Sequence, residues 1–145
     1  MPKFSLQTAL DVRERIEKLK QKEFAEQLQI AQEIKSRIDA CDSELQQSRH
    51  EVNQMKNRGF TIGHLQFHDQ FKKRIAQQTE VLEQQLVEQN ELLEVNQKNL
   101  LKATQDRRAL EILKEKELTR AREKQERTER TEMDEIAQNF LLSQK

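Results

Sequence analysis

The only two glycines of this 145-residue chain, Gly59 and Gly63, lie close together, and its only proline is Pro2. Glycine and proline are the strongest breakers of regular secondary structure. Neither occurs between about residues 4 and 56 or between about 65 and 142, and both segments are filled with the good helix formers Glu, Gln, Lys, Arg, Leu and Ala. This punctuation predicts two long helices joined by a loop over about 57–64.

The composition allows such helices to bury only a narrow apolar face, because 36% of the residues are charged, 34% are hydrophobic and 4% are aromatic. A chain of this kind cannot fill a globular core, so the choice lies between disorder and helices that share a seam. Both segments step by threes and fours, the spacing of a heptad seam. The first seam comprises Ala31, Ile34, Ile38, Cys41, Leu45, Ser48, Val52 and Met55, and we expect a register change before Leu28. The second comprises Ile75, Thr79, Leu82, Leu86, Gln89, Leu93, Asn96, Leu100, Ala103 and Leu110.

The two seams match each other if the second helix folds back on the first, because antiparallel partners then have residue numbers that sum to about 120. Leu45 then meets Ile75, and Ser48 falls opposite Phe71. We therefore predict an all-α fold: an elongated two-helix antiparallel coiled-coil hairpin with a longer C-terminal helix, forming a single domain over residues 1–145. The same register leaves about 118–145 as an overhang without a partner in the chain.

The overhang carries an apolar stripe on one helical face, because its apolar residues recur at i, i+3, i+4, i+7 and i+8. This C-terminal stripe consists of Met133, Ile136, Ala137, Phe140 and Leu141. Two interpretations remain open from periodicity: the stripe packs on its own copy, or it docks on another protein.

Several functional classes have little support. Lys+Arg and Asp+Glu number 26 each, so no overall field favours nucleic acid, and we expect no nucleic-acid partner. No run approaches the roughly 20 apolar residues of a membrane span, and the N-terminus lacks a signal-peptide core, which favours a cytoplasmic protein. Cys41 is expected to be a small buried hydrophobe, and His64 and His68 to be solvated histidines. We expect no catalytic residue, no metal and no cofactor.

The loop region concentrates aromatic residues, with Phe60, Phe67 and Phe71 close to a basic run over 72–74. An apolar patch with a basic rim is a reasonable protein-binding surface. For Phe71, an equally good interpretation is that it closes the last layer of the seam.

Three segments together resemble the FliJ family, the small coiled-coil component of the bacterial flagellar type III export apparatus. They are the opening residues 4–14 (FSLQTALDVRE), the closing residues 132–137 (EMDEIA), and the aromatic pair and aliphatic at Phe67, Phe71 and Ile75. The chain departs from some relatives in having no tyrosine near the loop and Gln78 where an alanine is often found.

The resemblance implies a non-enzymatic stalk, similar to the central shaft of rotary ATPases, located in the cytoplasm at the inner face of the cell membrane. It implies that the joined ends insert into the export ATPase hexamer and promote its assembly and activity, and that the region near the loop contacts the cytoplasmic domain of the gate protein FlhA. Relatives also bind export chaperones, which the resemblance adds to the expected partners. The implied ATPase-binding residues are Phe4, Leu6, Leu10, Arg13, Glu14, Met133, Asp134, Glu135 and Ala137. The implied gate-binding residues are Leu45, Arg49, Phe67, Phe71, Ile75 and Leu82.

Two alternatives belong to other functional classes. One is an escort or holdase chaperone for export substrates or their chaperones, and the other is a generic homo-oligomeric structural coiled coil. The stalk interpretation predicts binding to a hexameric ATPase and little self-association, whereas sedimentation of the purified chain would reveal the structural oligomer.

Overall fold

The chain forms two long α-helices that pack against each other, which confirms the predicted all-α helical hairpin. A computed structural model describes residues 3–59 and 61–144, and for Lys3 and Phe4 the backbone alone. Helix α1 spans Lys3–Arg58 and helix α2 spans Ile62–Ser143. No strand occurs among the described residues. Within them, neither helix has a stretch apolar enough to cross a membrane.

The connection between the helices is shorter than the predicted loop over 57–64, because both helices extend into it. Gly59 follows the last residue of α1 and has φ of 82°, the left-handed conformation that ends many helices. Thr61 caps α2, since its hydroxyl accepts the backbone N–H of His64 at 3.3 Å. His64 Nδ1 in turn accepts the backbone N–H of Thr61 at 3.4 Å, a reciprocal arrangement like a capping box. Phe60, which the sequence places in the aromatic patch, lies outside the described residues.

The helices contribute to two compact units, which we call the turn unit and the ends unit. The turn unit is Leu19–Leu100, and the described part of the ends unit is 3–18 with 101–144. In each unit the contacts run antiparallel. In the turn unit, Gln27 bonds Gln89 and Ser48 bonds His68, whose numbers sum to 116 in both pairs. In the ends unit, Glu17 pairs with Arg107 and Gln7 with Lys114, close to the predicted sum of 120.

The core of the turn unit follows the predicted seam from Ala31 to Met55. Ala31, Ile34 and Cys41 are buried on α1, as is Ile75 on α2. Leu28, which the expected register change would place in the seam, does not lie there. Leu28 is exposed, and the half-buried Gln27 takes the seam position instead. It does so because Gln89 Nε2 donates to both the carbonyl oxygen and the side-chain oxygen of Gln27, at 2.9 and 2.7 Å.

The ends unit has a short apolar core and a long exposed segment. Leu6, Leu10 and Ala103 are buried between the helices. Glu117 is the last half-buried side chain of α2, and every described side chain from Leu118 to Gln144 is exposed.

Candidate interaction surfaces

The C-terminal stripe is exposed along its whole length. The exposed fractions of Met133, Ile136, Phe140 and Leu141 lie between 60% and 66%, and Ala137 is exposed as well. Large apolar side chains that share one helical face and remain this accessible are typical of a docking surface. Asp134 and Glu135 are also exposed, beside the stripe.

The helix that carries the stripe satisfies its hydroxyl groups internally. The hydroxyls of Thr119, Thr128 and Thr131 donate to the carbonyl oxygens four residues earlier, at 2.9 to 3.0 Å. The charged segment before the stripe therefore continues as a helix with its own local hydrogen bonds, and the apolar face that follows it has no cover among the described residues of the ends unit.

The N-terminal residues assigned to ATPase binding by the resemblance are of two kinds. Leu6 and Leu10 are only 2% and 4% exposed, so they hold α1 against α2 and offer almost no surface. Arg13 is half-exposed and pairs with Asp106 at 3.5 Å, and Glu14 is half-buried. The side chain of Phe4 lies outside the described residues.

A charged cluster ties the helices together beside these residues. The Nε atom of Arg107 donates to Glu17 at 2.7 Å, and the same guanidinium also contacts Glu111. The hydrogen bond from Arg107 holds the pKa of Glu17 below its ordinary value, with a smaller contribution from Thr104, against the opposing effect of burial. The hydrogen bonds to both carboxylates raise the pKa of Arg107. The cluster is thus ionised at neutral pH and links α1 to α2 within the ends unit.

Four of the six gate-binding residues implied by the resemblance line two grooves of the turn unit. Leu45 and Arg49 line a groove of about 520 Å³, together with Val52, Leu65 and Lys72 among others. Phe67 and Phe71 line a smaller groove that contains Glu44 and Glu51. Ile75 is buried in the seam, and Leu82 is half-buried. The six residues therefore do not form one continuous surface.

A polar bridge separates the two grooves and was missed by the sequence analysis. Ser48 Oγ and His68 Nδ1 lie 3.0 Å apart, and both residues line both grooves. His68 is half-buried, so its assignment as a solvated histidine was wrong. Its position could have been found from spacing, because it precedes the buried Ile75 by one heptad.

The chemistry of these surfaces is that of binding. Among the described residues, no group of three or more His, Cys, Asp or Glu side chains is arranged to hold a metal ion. Cys41 is buried in the seam, as predicted. The surfaces combine exposed apolar side chains with charged neighbours, the composition of protein-binding sites.

Comparisons with known proteins identify the family. No curated protein and no solved structure matches the chain significantly. The family described as flagellar FliJ protein matches residues 2–145, essentially the whole chain. The chain therefore belongs to the FliJ family, whose members are components of the flagellar export apparatus.

Proposed function

We propose that the protein is a non-enzymatic coupling subunit that binds the export ATPase ring through its C-terminal stripe and contacts the export gate protein FlhA through the turn unit. Family membership supports the apparatus, and the exposed stripe is the observation that carries the ATPase contact. Apolar side chains at this spacing would otherwise remain in water, so a groove or ring that covers them gains the burial of four large side chains.

The N-terminal residues contribute to this proposal in an indirect way. The buried Leu6 and Leu10 position α1 beside α2, and the direct contacts come from Arg13, Glu14, Asp134 and Glu135, which are exposed or half-buried. Phe4 belongs to the same proposed site through the resemblance alone.

In the turn unit, the gate contact is proposed for two grooves rather than for one surface that contains all six residues. Phe67 is 65% exposed and lies with Phe71 in the smaller groove, so these two aromatic side chains provide the accessible apolar area. Leu45 and Arg49 provide a second contact on the other side of the Ser48–His68 bridge. Ile75 is buried in the seam and Leu82 is half-buried, so they offer the proposed contact little accessible surface.

The test of the ATPase contact is steady-state ATP hydrolysis by the export ATPase of the same organism, with and without the protein. Met133→Asp with Phe140→Asp places two charges on the stripe and should abolish stimulation. Gln138→Asp with Leu142→Asp is the matched control, because both residues are exposed on the same helix but lie off the stripe. A truncation after Glu132 should behave like the stripe variant.

The outcomes separate the proposed function from its alternatives. Stimulation by the native protein and the control, but not by the stripe variant, supports the coupling role. Stimulation that survives both charges on the stripe contradicts the proposed site, and no stimulation by the native protein favours an escort or structural role.

A further inference from the structure

The turn unit concentrates positive charge around the connection between the helices. Between Glu51 and Glu80, Asp69 is the only acidic residue, whereas the basic residues there number five: Lys56, Arg58, Lys72, Lys73 and Arg74. The chain as a whole has no net charge, so this end of the hairpin is positive while the rest of the chain carries the balancing negative charge. The first turn of α2 also contains no acidic residue to offset the positive end of its helix dipole.

Among the described residues, most of these basic side chains have no acidic partner. Lys73 pairs with Asp69 at 3.3 Å, but both side chains are more than 60% exposed, so the pair is weak. Within the described part of the chain, Lys56, Arg58, Lys72 and Arg74 form no ion pair. The cluster is therefore available to an anionic surface.

Exposed apolar side chains lie at the same end. Ile62, the first residue of α2, is 75% exposed, and Leu65 and Phe67 follow within two turns at 43% and 65%. Their exposure places apolar area at the end of the turn unit, where the chain reverses direction. Neither of the two grooves near the connection includes Ile62, and three quarters of its side chain is accessible to solvent.

The helix geometry brings the charged groups of the basic residues close to the level of Ile62 along the axis of α2. Lys72 to Arg74 lie about 15 to 18 Å beyond Ile62 along the axis of α2. Helical side chains lean toward the N-terminus of their helix, which here is the end at the turn. The extended ammonium and guanidinium groups thus come within about 10 Å of the level of Ile62, close to the screening length at physiological salt. Arg58, the last residue of α1, is already at that level.

We propose that the turn end of the hairpin binds directly to the surface of an anionic lipid bilayer, with Ile62 entering the headgroup region and the basic residues held near the lipid phosphates by electrostatic attraction. Clusters of four to eight basic residues beside apolar side chains are typical of peripheral binding to anionic lipids. A fluid bilayer can cover an exposed side chain such as Ile62 without shape complementarity, whereas an acidic protein partner would need a matching cavity. This inference goes beyond the proposed function, because it requires neither the ATPase nor the gate protein.

The test is co-sedimentation of the full-length chain with vesicles of phosphatidylcholine alone and with vesicles that also contain phosphatidylglycerol. We expect binding to the mixed vesicles that weakens as salt is raised. Lys72→Gln with Lys73→Gln and Arg74→Gln should weaken it by about fivefold per residue at low salt. The matched control is Arg120→Gln with Arg122→Gln and Lys124→Gln, an equal loss of charge on exposed residues of the same helix. Ile62→Gln should weaken binding at every salt concentration.

The result that overturns the proposal is an absence of binding to the mixed vesicles at low salt, or an equal loss in the control variant. Binding to neutral vesicles of the same strength would contradict the role of the basic cluster. Capture by an acidic protein, with no vesicle binding, would assign the surface to a protein partner. Circular dichroism of each variant checks that the helices are intact. None of these outcomes depends on ATPase stimulation, so this proposal and the proposed function can fail separately.

Discussion

Ile75 provides the sharpest test of how folding and binding are divided in this protein. The resemblance places it among the gate-binding residues, yet the structure leaves only 3% of it exposed, in the seam of the turn unit. Because Ile75 is buried, Ile75→Ala acts on the free energy of unfolding, and any effect on partner binding follows from the loss of structure.

The expected cost follows from the atoms removed. Ile→Ala deletes three carbon atoms, and each buried methylene contributes about 0.8 kcal/mol, or about 2.4 kcal/mol together. The cavity left behind adds little, because a seam between only two helices can close over it. Alanine's better helix propensity returns about 0.4 kcal/mol. We therefore expect the free energy of unfolding to fall by about 2 kcal/mol.

The assay is urea unfolding followed by far-UV circular dichroism, with Val81→Ala as the matched control. Val81 lies on α2 one turn and a half from Ile75 and is 56% exposed, so its truncation should change the free energy by less than about 0.5 kcal/mol. Equal effects of the two substitutions would refute the packing argument. Phe67→Ala should weaken binding to the cytoplasmic domain of FlhA without destabilising the fold, whereas Ile75→Ala should do both.

Three further predictions concern the turn, the seam and the ends. Gly59→Ala should cost about 1 to 2 kcal/mol because of its positive φ, whereas Gly63→Ala, with only an ordinary contact at 3.6 Å, should stabilise α2 by about 0.5 to 1 kcal/mol; thermal unfolding measures both. Gln89→Leu alone should destabilise the turn unit by about 1 kcal/mol, and adding Gln27→Leu should restore that loss, as a double-mutant cycle in urea would show. The lowered pKa of Glu17 stabilises the ends unit above its ordinary value of 4.5, and this contribution is lost as pH falls below it, so Glu17→Gln should flatten the acid side of the stability profile.

Each of these predictions has an outcome that contradicts it. Equal signs for the two glycine substitutions would refute the left-handed conformation at Gly59. An additive cycle would show that the glutamine side chains do not interact. An unchanged loss of stability below pH 4.5 in Glu17→Gln would mean that other carboxylates dominate acid unfolding.

The seam of the turn unit could be predicted because apolar spacing and helix geometry impose the same pattern. The segment from Ala31 to Met55 has one apolar residue at nearly every core position, so hydropathy alone identified the face. The same reasoning failed at Leu28, because hydropathy assigned the core position to this leucine and not to the neighbouring Gln27. A glutamine amide that hydrogen-bonds across the seam can occupy a core position, and no single-residue property reveals its partner.

The helix ends at the turn and the Ser48–His68 bridge could not be predicted from the positions of glycine and proline or from hydropathy. The sequence suggested that α2 begins at residue 65, whereas the cap at Thr61 and the side chain of His64 start the helix at Ile62. The bridge between Ser48 and His68 requires the register to be known to within one turn. The exposed C-terminal stripe needed less precision, because any register near 120 leaves it without a partner in the chain.

The distance between the seam and the stripe decides which substitutions report on binding. Burial on α2 ends at Glu117, and the stripe begins at Met133, about 24 Å further along the helix axis. Substitutions separated by more than about 10 Å without shared partners usually act independently. Charges placed at Met133 and Phe140 should therefore leave the Glu17 cluster and the core around Leu6 undisturbed. A loss of ATPase stimulation in that variant would report on docking, whereas the same loss in Leu6→Ala would not distinguish docking from the separation of α1 from α2.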